Sequence, residues 1–168
     1  MITELDAHRP ADAVEAASLH RTRRLLACLA DPFDRDSGPV HVTGSALIRD
    51  GAGRVLLHRH KRLGVWLQPG GHLDPGEEAA DAARREAVEE TGVDARHPAD
   101  GPRLVHLDVH PGPGGHIHLD LRYGLSAPGG ATPNPADGES PDVAWFTLAE
   151  AAVHGDASLL AALRRSRR

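Results

Sequence analysis

Residues 71–93 read GHLDPGEEAADAARREAVEETGV, and this segment carries the clearest helix pattern of the chain. A DPG turn comes before the pattern, and Gly92 follows it at the place where glycine commonly caps a helix end. Acidic residues open the pattern, where negative charge suits the helix dipole. We therefore predict a helix over 77–91, with Glu77 and Glu78 in its first turn.

Three glutamates cluster near the carboxyl end of this predicted helix. Glu86, Glu89 and Glu90 lie three and four residues apart, so they share one helical face. Like charges at this spacing weaken a helix, and the dipole disfavours them at this end. The cluster alone leaves two interpretations open. It is either a solvated acidic face partly neutralised by Arg84 and Arg85, or a site for a hard divalent cation such as Mg²⁺, which prefers carboxylate oxygens.

The wider spacing of the segment matches a known signature. Gly71 is followed by five residues and Glu77, and seven more residues lead to REAVEETGV at 85–93. These positions fit the Nudix box, G-x5-E-x7-R-E-(aliphatic or small)-x-E-E-x-G-(aliphatic), at every fixed residue. The chain therefore resembles the Nudix, or MutT-like, hydrolase superfamily. The strands around the box and Trp145, in a strand after an acidic loop, extend the likeness over about 38–155.

The resemblance implies a metal site at the matching residues. Glu86, Glu89 and Glu90 are expected to bind the metal, and the backbone carbonyl near Gly71 is expected to add a ligand. Mg²⁺ is the expected ion, with Mn²⁺ as the alternative. Arg85 is expected to orient the catalytic glutamates by hydrogen bonding.

Three further positions of the box have supporting roles by the same resemblance. Glu77 is expected to act as a supporting acid, through water or by capping the helix. Gly70 and Gly71 would let the backbone approach the metal and the diphosphate closely, because glycine lacks a Cβ. Gly92 fits the turn that ends the helix.

The implied reaction is hydrolysis of a diphosphate linkage in a nucleoside diphosphate joined to another moiety. Such chemistry needs neutralisation of the phosphoryl oxygens and an activated water. A carboxylate then takes the proton as general base, and we expect Glu86 or Glu89, assisted by Arg85, to do so. An acid from outside the box, Glu139 or Asp120, is the alternative.

Histidine and aspartate alternate on two later predicted strands, 103–110 and 116–126. If the loop between them closes a symmetric hairpin with His110 opposite His116, six polar residues share one face. These are His106, Asp108, His110, His116, His118 and Asp120. Three interpretations stay open: the face lines the substrate cleft, it is merely solvated, or it is a second metal site, for example for zinc.

Several histidines and a tryptophan lie near the box in the sequence. His72 directly follows Gly71 and is a candidate for the site, whereas His41, His58 and His60 are each expected to be structural. Trp66 either stacks on a base or packs in the core. The candidate substrate-lining residues are His72, Trp66, His106, His118, Asp120 and Glu139.

The order of helix, strands, helix, strands and helix predicts an α/β protein. We expect a Nudix-like α/β/α sandwich with a mixed β-sheet flanked by helices, plus an N-terminal helix at 11–31. The expected organisation is an N-terminal helical extension (1–37), the Nudix hydrolase domain (38–155), and a C-terminal helix with a solvated basic tail (156–168).

Composition excludes several classes of partner. The chain has 168 residues and a formal net charge of −5 without an extended basic face, which argues against a nucleic acid polymer. It has neither an apolar run of about 18 residues nor a signal-peptide pattern, so we expect a cytoplasmic protein with no membrane partner. Cys28 is the only cysteine and is predicted to be a small buried hydrophobic residue.

The sequence predicts the class of reaction but no particular substrate. The expected partner is a small-molecule diphosphate, and a homodimer is an option because dimers are common in the family. Markers of the ADP-ribose, dinucleoside polyphosphate, coenzyme A and NADH hydrolases are absent. Two alternative functions stay open: a ligand-binding or regulatory Nudix-like module without turnover, and a hydrolase with an additional His/Asp metal site.

Overall fold

The computed structural model describes residues 2–165 and contains a seven-stranded mixed sheet with helices on both sides. The helices in this range are α1 Ile2–Ala7, α2 Ala13–Cys28, α3 Ala79–Thr91, α4 Leu148–His154 and α5 Ala157–Arg165. The strands are β1 Val40–Arg49, β2 Val55–Arg59, β3 Trp66–Leu67, β4 Gly70–His72, β5 Leu104–Pro111, β6 Ile117–Ser126 and β7 Val143–Phe146. This confirms the predicted α/β/α sandwich with an N-terminal helix.

Strand β1 lies at the centre of the sheet. It pairs in parallel with β6 along its whole length, from Val40 opposite Ile117 to Arg49 opposite Ser126. It also pairs antiparallel with β2 and with β4. Strand β5 lies beyond β6, while β3 and β7 both pair with β2. The parallel β1–β6 pair brings together two segments that are far apart in the sequence.

One side of the sheet, the α3 face, packs against α2 and α3. Its apolar residues include Val42, Ala46, Ile48, Leu107, Leu119 and Leu121, all nearly inaccessible to solvent. Gly44 lies on this face where α3 approaches most closely, because a Cβ there would collide with backbone atoms of Ala79 and Ala83. The buried side of α3 is made of alanines, which lets the helix lie directly on β1.

The opposite side, the α5 face, is partly apolar and partly polar. Leu47 and Leu57 pack there against α4 and α5, with Leu159 and Leu163 as the buried helical residues. A capping box between Thr147 and Glu150 begins α4. Farther along the same face of β5 and β6 lie the alternating histidines and aspartates of the hairpin.

The register of the β5–β6 hairpin differs from the predicted one by two residues. His110 lies opposite His118 rather than His116, and Asp108 lies opposite Asp120. The cause is a 3₁₀ turn at Pro113–Gly115, which takes up the residues between the strands so that β6 begins only at Ile117. A two-residue shift preserves the side on which residues lie, so the shared polar face is correct. Among the paired residues, Arg122 lies opposite His106, whereas His116 precedes β6 and pairs with no residue of β5.

Helix α3 begins two residues later than predicted. Glu78 is its N-cap residue and Glu77 precedes the cap, so neither lies in the first turn. The Glu77 carboxylate is instead engaged by the Asp74 amide and by Arg85. The predicted end is correct: Gly92 adopts φ 68°, and its amide donates to the Val88 carbonyl.

The N-terminal region contains two helices where the sequence indicated one. The predicted helix at 11–31 is the shorter α2, capped by Asp12, and α1 was not foreseen. Cys28 is exposed, so its predicted burial is wrong. The helical face of α2 that is buried carries Glu15, Ser18, Leu19 and Thr22, and Cys28 does not lie on that face. Residues 166–168 of the predicted basic tail lie outside the described residues. Within 2–165 no helix has the length and apolarity needed to span a bilayer.

Candidate active site

The glutamates of α3 meet the glycine pair of β4. The Gly70 amide donates a hydrogen bond of 2.9 Å to an Oε atom of Glu90. Gly71 faces Glu86 so closely that a Cβ at this position would collide with the Glu86 carboxylate. The carboxylates of Glu86 and Glu90 therefore lie against two glycines of β4, between α3 and the sheet.

Arg85 connects the components of this site. Its guanidinium donates to Glu77 at 3.0 Å, to Glu86 at 3.0 Å and to Glu89 at 3.0 Å. It also donates to the backbone carbonyl of His72 at 2.8 Å, which ties α3 to β4. A planar guanidinium with five donors suits this multiple engagement. The predicted orienting contact between Arg85 and the glutamates is present.

Burial sets the charge state of the two innermost carboxylates. It raises the pKa of Glu90 to about 8, and the neighbouring charges of Glu86, Glu139 and Glu89 act in the same direction. Burial also raises the pKa of Glu86, against the opposing effect of Arg85. Both carboxyls therefore lie where negative charge is costly unless a cation compensates it.

Glu77 lies in a different electrostatic environment. Burial alone would raise its pKa, but the hydrogen bonds from Arg85 and from the Asp74 amide outweigh burial and lower it. Glu77 is thus an ionised partner of Arg85, and it closes the turn before α3 through its bond to Asp74 of 2.9 Å. This geometry fits a supporting role and differs from the predicted first-turn position.

Glu89 and Glu139 complete the acidic group from its outer side. The Glu89 side chain is 49% exposed, more than those of the other two helix glutamates. The loop that carries Glu139 is fastened to α3 by a hydrogen bond of 2.8 Å from the Ala136 amide to the Glu89 carbonyl. Glu139 therefore lies within electrostatic reach of Glu86 and Glu90.

Asp120, the other candidate acid from outside the box, lies on the α5 face of the sheet and not beside the cluster. It is buried and accepts hydrogen bonds from Ser45 at 2.6 Å and Arg122 at 2.8 Å. Burial would raise its pKa, but Arg122 and these hydrogen bonds lower it. Asp120 is thus an ionised member of a buried polar network with no access to α3.

The predicted substrate-lining rings also lie apart from the glutamates. His72 is adjacent to Gly71 in β4 but points to the α5 face, as do His106 and His118, because successive side chains alternate across a sheet. Trp66 lies against Phe146, with ring centroids 4.9 Å apart, at the edge of the apolar cluster on the α5 face. Trp66 therefore packs in the protein core.

Two residues that the sequence did not assign to the site contribute to it: His58, expected to be structural, and Gly44. His58 of β2 lies with its Nδ1 atom 3.6 Å from the Glu90 carboxylate, and burial lowers the pKa of this imidazole to about 4. It is therefore a neutral ring against Glu90. Gly44 allows α3 to lie on β1 and thereby sets the distance of the glutamates from β4. Neither contact has a local sequence signal, because each depends on strand pairing.

The residues present fit a hard divalent cation. The donors are carboxylate oxygens, which Mg²⁺ and Mn²⁺ prefer. Half-buried carboxylates with raised pKa values lie together, and the absent Cβ of Gly71 leaves the backbone beside Glu86 open to close approach. Arg85 alone does not balance the charges of Glu77, Glu86 and Glu89, to all of which it is bonded.

Known proteins resemble this chain at the level of sequence. A putative 8-oxo-dGTP diphosphatase from Bacillus subtilis is 50% identical over 42 residues, which cover 25% of this chain and 28% of that protein. An RNA pyrophosphohydrolase from Dinoroseobacter shibae is 35% identical over 85 residues, which cover 48% of this chain and 53% of that protein. The chain thus aligns with about half or less of the length of these curated relatives.

The resemblance extends to solved structures and to a family model. A NUDIX-family hydrolase from Clostridium perfringens superposes with a TM-score of 0.62 at 26% identity, covering 74% of this chain and 96% of that one. The model of the NUDIX domain matches residues 39–164. Since that match spans most of the chain and includes the glutamate helix with its arginine and glycine pair, the protein belongs to the Nudix domain family.

Proposed function

We propose that the protein is a Mg²⁺-dependent diphosphohydrolase that cleaves a diphosphate linkage in a nucleoside diphosphate joined to another moiety. The observation that carries this proposal is the convergence of Glu86 and Glu90, both half-buried, on the Gly70–Gly71 pair. Diphosphate cleavage needs positive charge at the phosphoryl oxygens, and this carboxylate group can hold the cation that provides it. The names of the two curated relatives, a diphosphatase and a pyrophosphohydrolase, agree with this class.

Each residue of the box then has a task. Glu86, Glu89 and Glu90 would hold the metal, with the backbone carbonyl of Gly71 as a further ligand. Mg²⁺, or Mn²⁺ in its place, supplies neutralisation of phosphoryl charge and lowers the pKa of water when bound. Arg85 fixes the rotamers of Glu86 and Glu89 by its hydrogen bonds to both. Arg85 is thus a positioning residue in this proposal.

Glu89 fits the general base better than Glu86. Its carboxylate is half exposed, so water can reach it, and the hydrogen bond from Arg85 at 3.0 Å orients it. Glu86 is more enclosed and lies directly against Gly71. A general base needs both access to the attacking water and a fixed direction, and Glu89 has both.

The first test is turnover of a substrate panel with and without Mg²⁺. The panel contains 8-oxo-dGTP and other nucleoside triphosphates, nucleotide sugars, ADP-ribose, dinucleoside polyphosphates and RNA with a 5′-triphosphate. We expect Mg²⁺-dependent turnover of at least one compound, lost in Glu90→Gln. The matched control is Asp81→Asn, which removes an exposed acid from the same helix. Binding across the panel without turnover would contradict the proposal and favour a ligand-binding module.

Two variants separate the roles of the proposed base and the metal ligands. If Glu89 is the base as well as a metal ligand, Glu89→Gln lowers kcat even at saturating Mg²⁺. Glu86→Gln then raises the Mg²⁺ concentration needed for half-maximal activity. The reverse pattern would move the base to Glu86.

We also infer the extent of the catalytic unit. Residues 38–155 would form the hydrolase domain, with 1–37 as a helical extension and 156–168 as a C-terminal helix and basic tail. The buried contact of Glu15 with the Leu107 amide shows how the extension is attached to the sheet. Removing residues 1–37 should therefore lower thermal stability while Mg²⁺-dependent turnover survives in the folded fraction. Loss of turnover in a folded truncated chain would place the extension within the catalytic unit.

A further inference from the structure

Three histidines from three different strands converge on the α5 face. His41 lies in β1, His72 in β4 and His118 in β6, and a nitrogen of each lies within 4.8 Å of the others. The Nε2 atoms of His41 and His72 are 2.9 Å apart. The parallel register of β1 and β6 places His41 directly beside His118, and the β1–β4 pairing brings in His72. Three imidazole nitrogens this close together can supply the donor set of a transition-metal site.

The cluster lines an open cavity and is not part of the apolar core. The cavity has a volume of about 330 Å³. Its lining includes His41, His72, His116 and His118, with Asp36 and Arg62 at its sides. The His116 ring lies 5.1 Å from that of His41, so a fourth ligand, either His116 or water, has room to approach. The cavity therefore connects the cluster to solvent through His72 and His118, which are partly exposed, whereas His41 is fully buried.

The hydrogen bonding of His41 prepares it as a ligand. Its Nδ1 atom lies 3.3 Å from the Gly38 carbonyl, which fixes the proton on Nδ1 and leaves a lone pair on Nε2. A backbone carbonyl in this position is a common outer partner of metal-binding histidines.

The spacing fits tetrahedral coordination after small side-chain rotations. Zn–N bonds of about 2.0–2.1 Å at the tetrahedral angle place two nitrogens about 3.3 Å apart. The observed separations, from 2.9 Å to at most 4.8 Å, bracket that value. The rings need to move by about 1 Å, which rotation about their side-chain bonds supplies.

We propose that His41, His72 and His118 bind one zinc-class transition-metal ion, separate from the carboxylate site on α3. Nitrogen donors distinguish it from the Mg²⁺ site, whose donors are oxygens. The ion joins β1, β4 and β6, and it anchors the strand that presents Gly70 and Gly71 to the glutamates. Its role is therefore to fix β4, whose His72 carbonyl accepts the hydrogen bond from Arg85.

The decisive experiment is a Zn²⁺ titration of the metal-free full chain against a chromogenic chelator, in excess Mg²⁺ to occupy the carboxylate site. We expect one equivalent of Zn²⁺ per chain in the wild type. His41→Asn and His118→Asn should each weaken binding by at least about 100-fold, since even lost outer partners of metal-binding histidines cost 10–100-fold. His20→Asn, which changes an exposed histidine on α2, is the matched control and should bind Zn²⁺ like the wild type.

Two further measurements keep the result independent of how the variants fold. Co²⁺ bound by three imidazoles in a tetrahedral site produces visible absorption, which should appear in the wild-type protein and saturate at one equivalent. Zn²⁺ should also raise the Tm of the wild type, because an ion that binds only the folded state stabilises it. The proposal is overturned if wild-type protein binds no stoichiometric Zn²⁺, or if folded His41→Asn and His118→Asn bind it undiminished. Neither outcome bears on the Mg²⁺-dependent reaction, which the Glu90→Gln assay tests.

Discussion

The Gly70 amide donates a hydrogen bond of 2.9 Å to the Glu90 carboxylate, and this contact joins the strand and the helix that form the site. The same carboxyl has its pKa raised to about 8 by burial and by the glutamates around it. The hydrogen bond from the Gly70 amide favours the ionised form of Glu90, but the cost of burying that charge is larger. Negative charge at Glu90 is therefore costly in the folded protein unless a proton or a cation compensates it.

Glu90→Gln should separate activity from stability. Glutamine has nearly the same shape and can still accept from the Gly70 amide, but it carries no charge. We expect the free energy of unfolding in Mg²⁺-free buffer at pH 8 to stay equal or rise by about 1 kcal/mol, because the cost of buried charge is removed. Turnover should fall at least about 100-fold. Losing a residue that only hydrogen-bonds to a metal ligand already costs about 10–100-fold, and Glu90 is proposed as a ligand itself.

Urea unfolding and steady-state kinetics on the same preparation test this prediction. The control is Asp81→Asn, which should change neither quantity appreciably. A large loss of stability in Glu90→Gln would contradict the conclusion that its charge is costly.

Arg85→Lys should impair the site although it conserves the charge. Lysine cannot reproduce a guanidinium that donates to Glu77, Glu86 and Glu89 together. We expect a stability loss of about 1–2 kcal/mol and a clear rise in the Mg²⁺ concentration for half-maximal activity. Arg84→Lys is the matched control, since Arg84 is exposed on the same helix and contacts only Asp94 among the described residues. Unchanged Mg²⁺ dependence in Arg85→Lys would show that the arginine does not position the glutamates.

Gly44→Ala should destabilise the fold by preventing the close contact of α3 with β1. The new Cβ would overlap backbone atoms of Ala79 and Ala83, which cannot move without shifting the helix. Overpacking of this kind costs about 1–3 kcal/mol. Gly51→Ala is the control, because nothing lies within 4 Å of a Cβ there and its stability should be equal or slightly higher. Equal unfolding midpoints in urea for the two variants would contradict this account of Gly44.

The sequence predicted those parts of the site that depend on local spacing. The helix and the shared face of Glu86, Glu89 and Glu90 follow from periodicity, and the end of the helix follows from the glycine at 92. The roles of Arg85 and Gly71 came from the resemblance to the family.

Contacts made by strand pairing could not be predicted in the same way. The approach of His41 to His118 depends on a parallel pair formed by distant segments, and that pairing leaves no periodic signal in either strand. The hairpin register depended on a turn at 113–115, whose two glycines with positive φ admit several loop lengths. His58 beside Glu90 is likewise a consequence of packing, since β2 and α3 meet only in the folded chain.

Glu15 should make stability depend on pH in the acidic range. It is buried on α2, and it accepts hydrogen bonds from the Ala11 amide at 2.6 Å and from the Leu107 amide at 3.3 Å, with His8 at 2.7 Å. Burial raises the pKa of a carboxyl, but here the His8 and Ala11 contacts prevail and hold the pKa at about 2, against an ordinary 4.5. This difference corresponds to about 3 kcal/mol of stability.

The sign follows from the lowered pKa of the folded state. The contribution is fully present above pH 4.5, the ordinary pKa, and is lost as the pH falls toward 2. Glu15→Gln should therefore be less stable than the wild type at pH 7, and the difference should shrink by about 2 kcal/mol at pH 3. Urea unfolding at pH 7, 5 and 3 measures it, with Asp81→Asn as the control for a general loss of negative charge. A difference of the same size at all three pH values would mean that Glu15 stabilises the protein through shape and packing rather than through its ionised carboxylate.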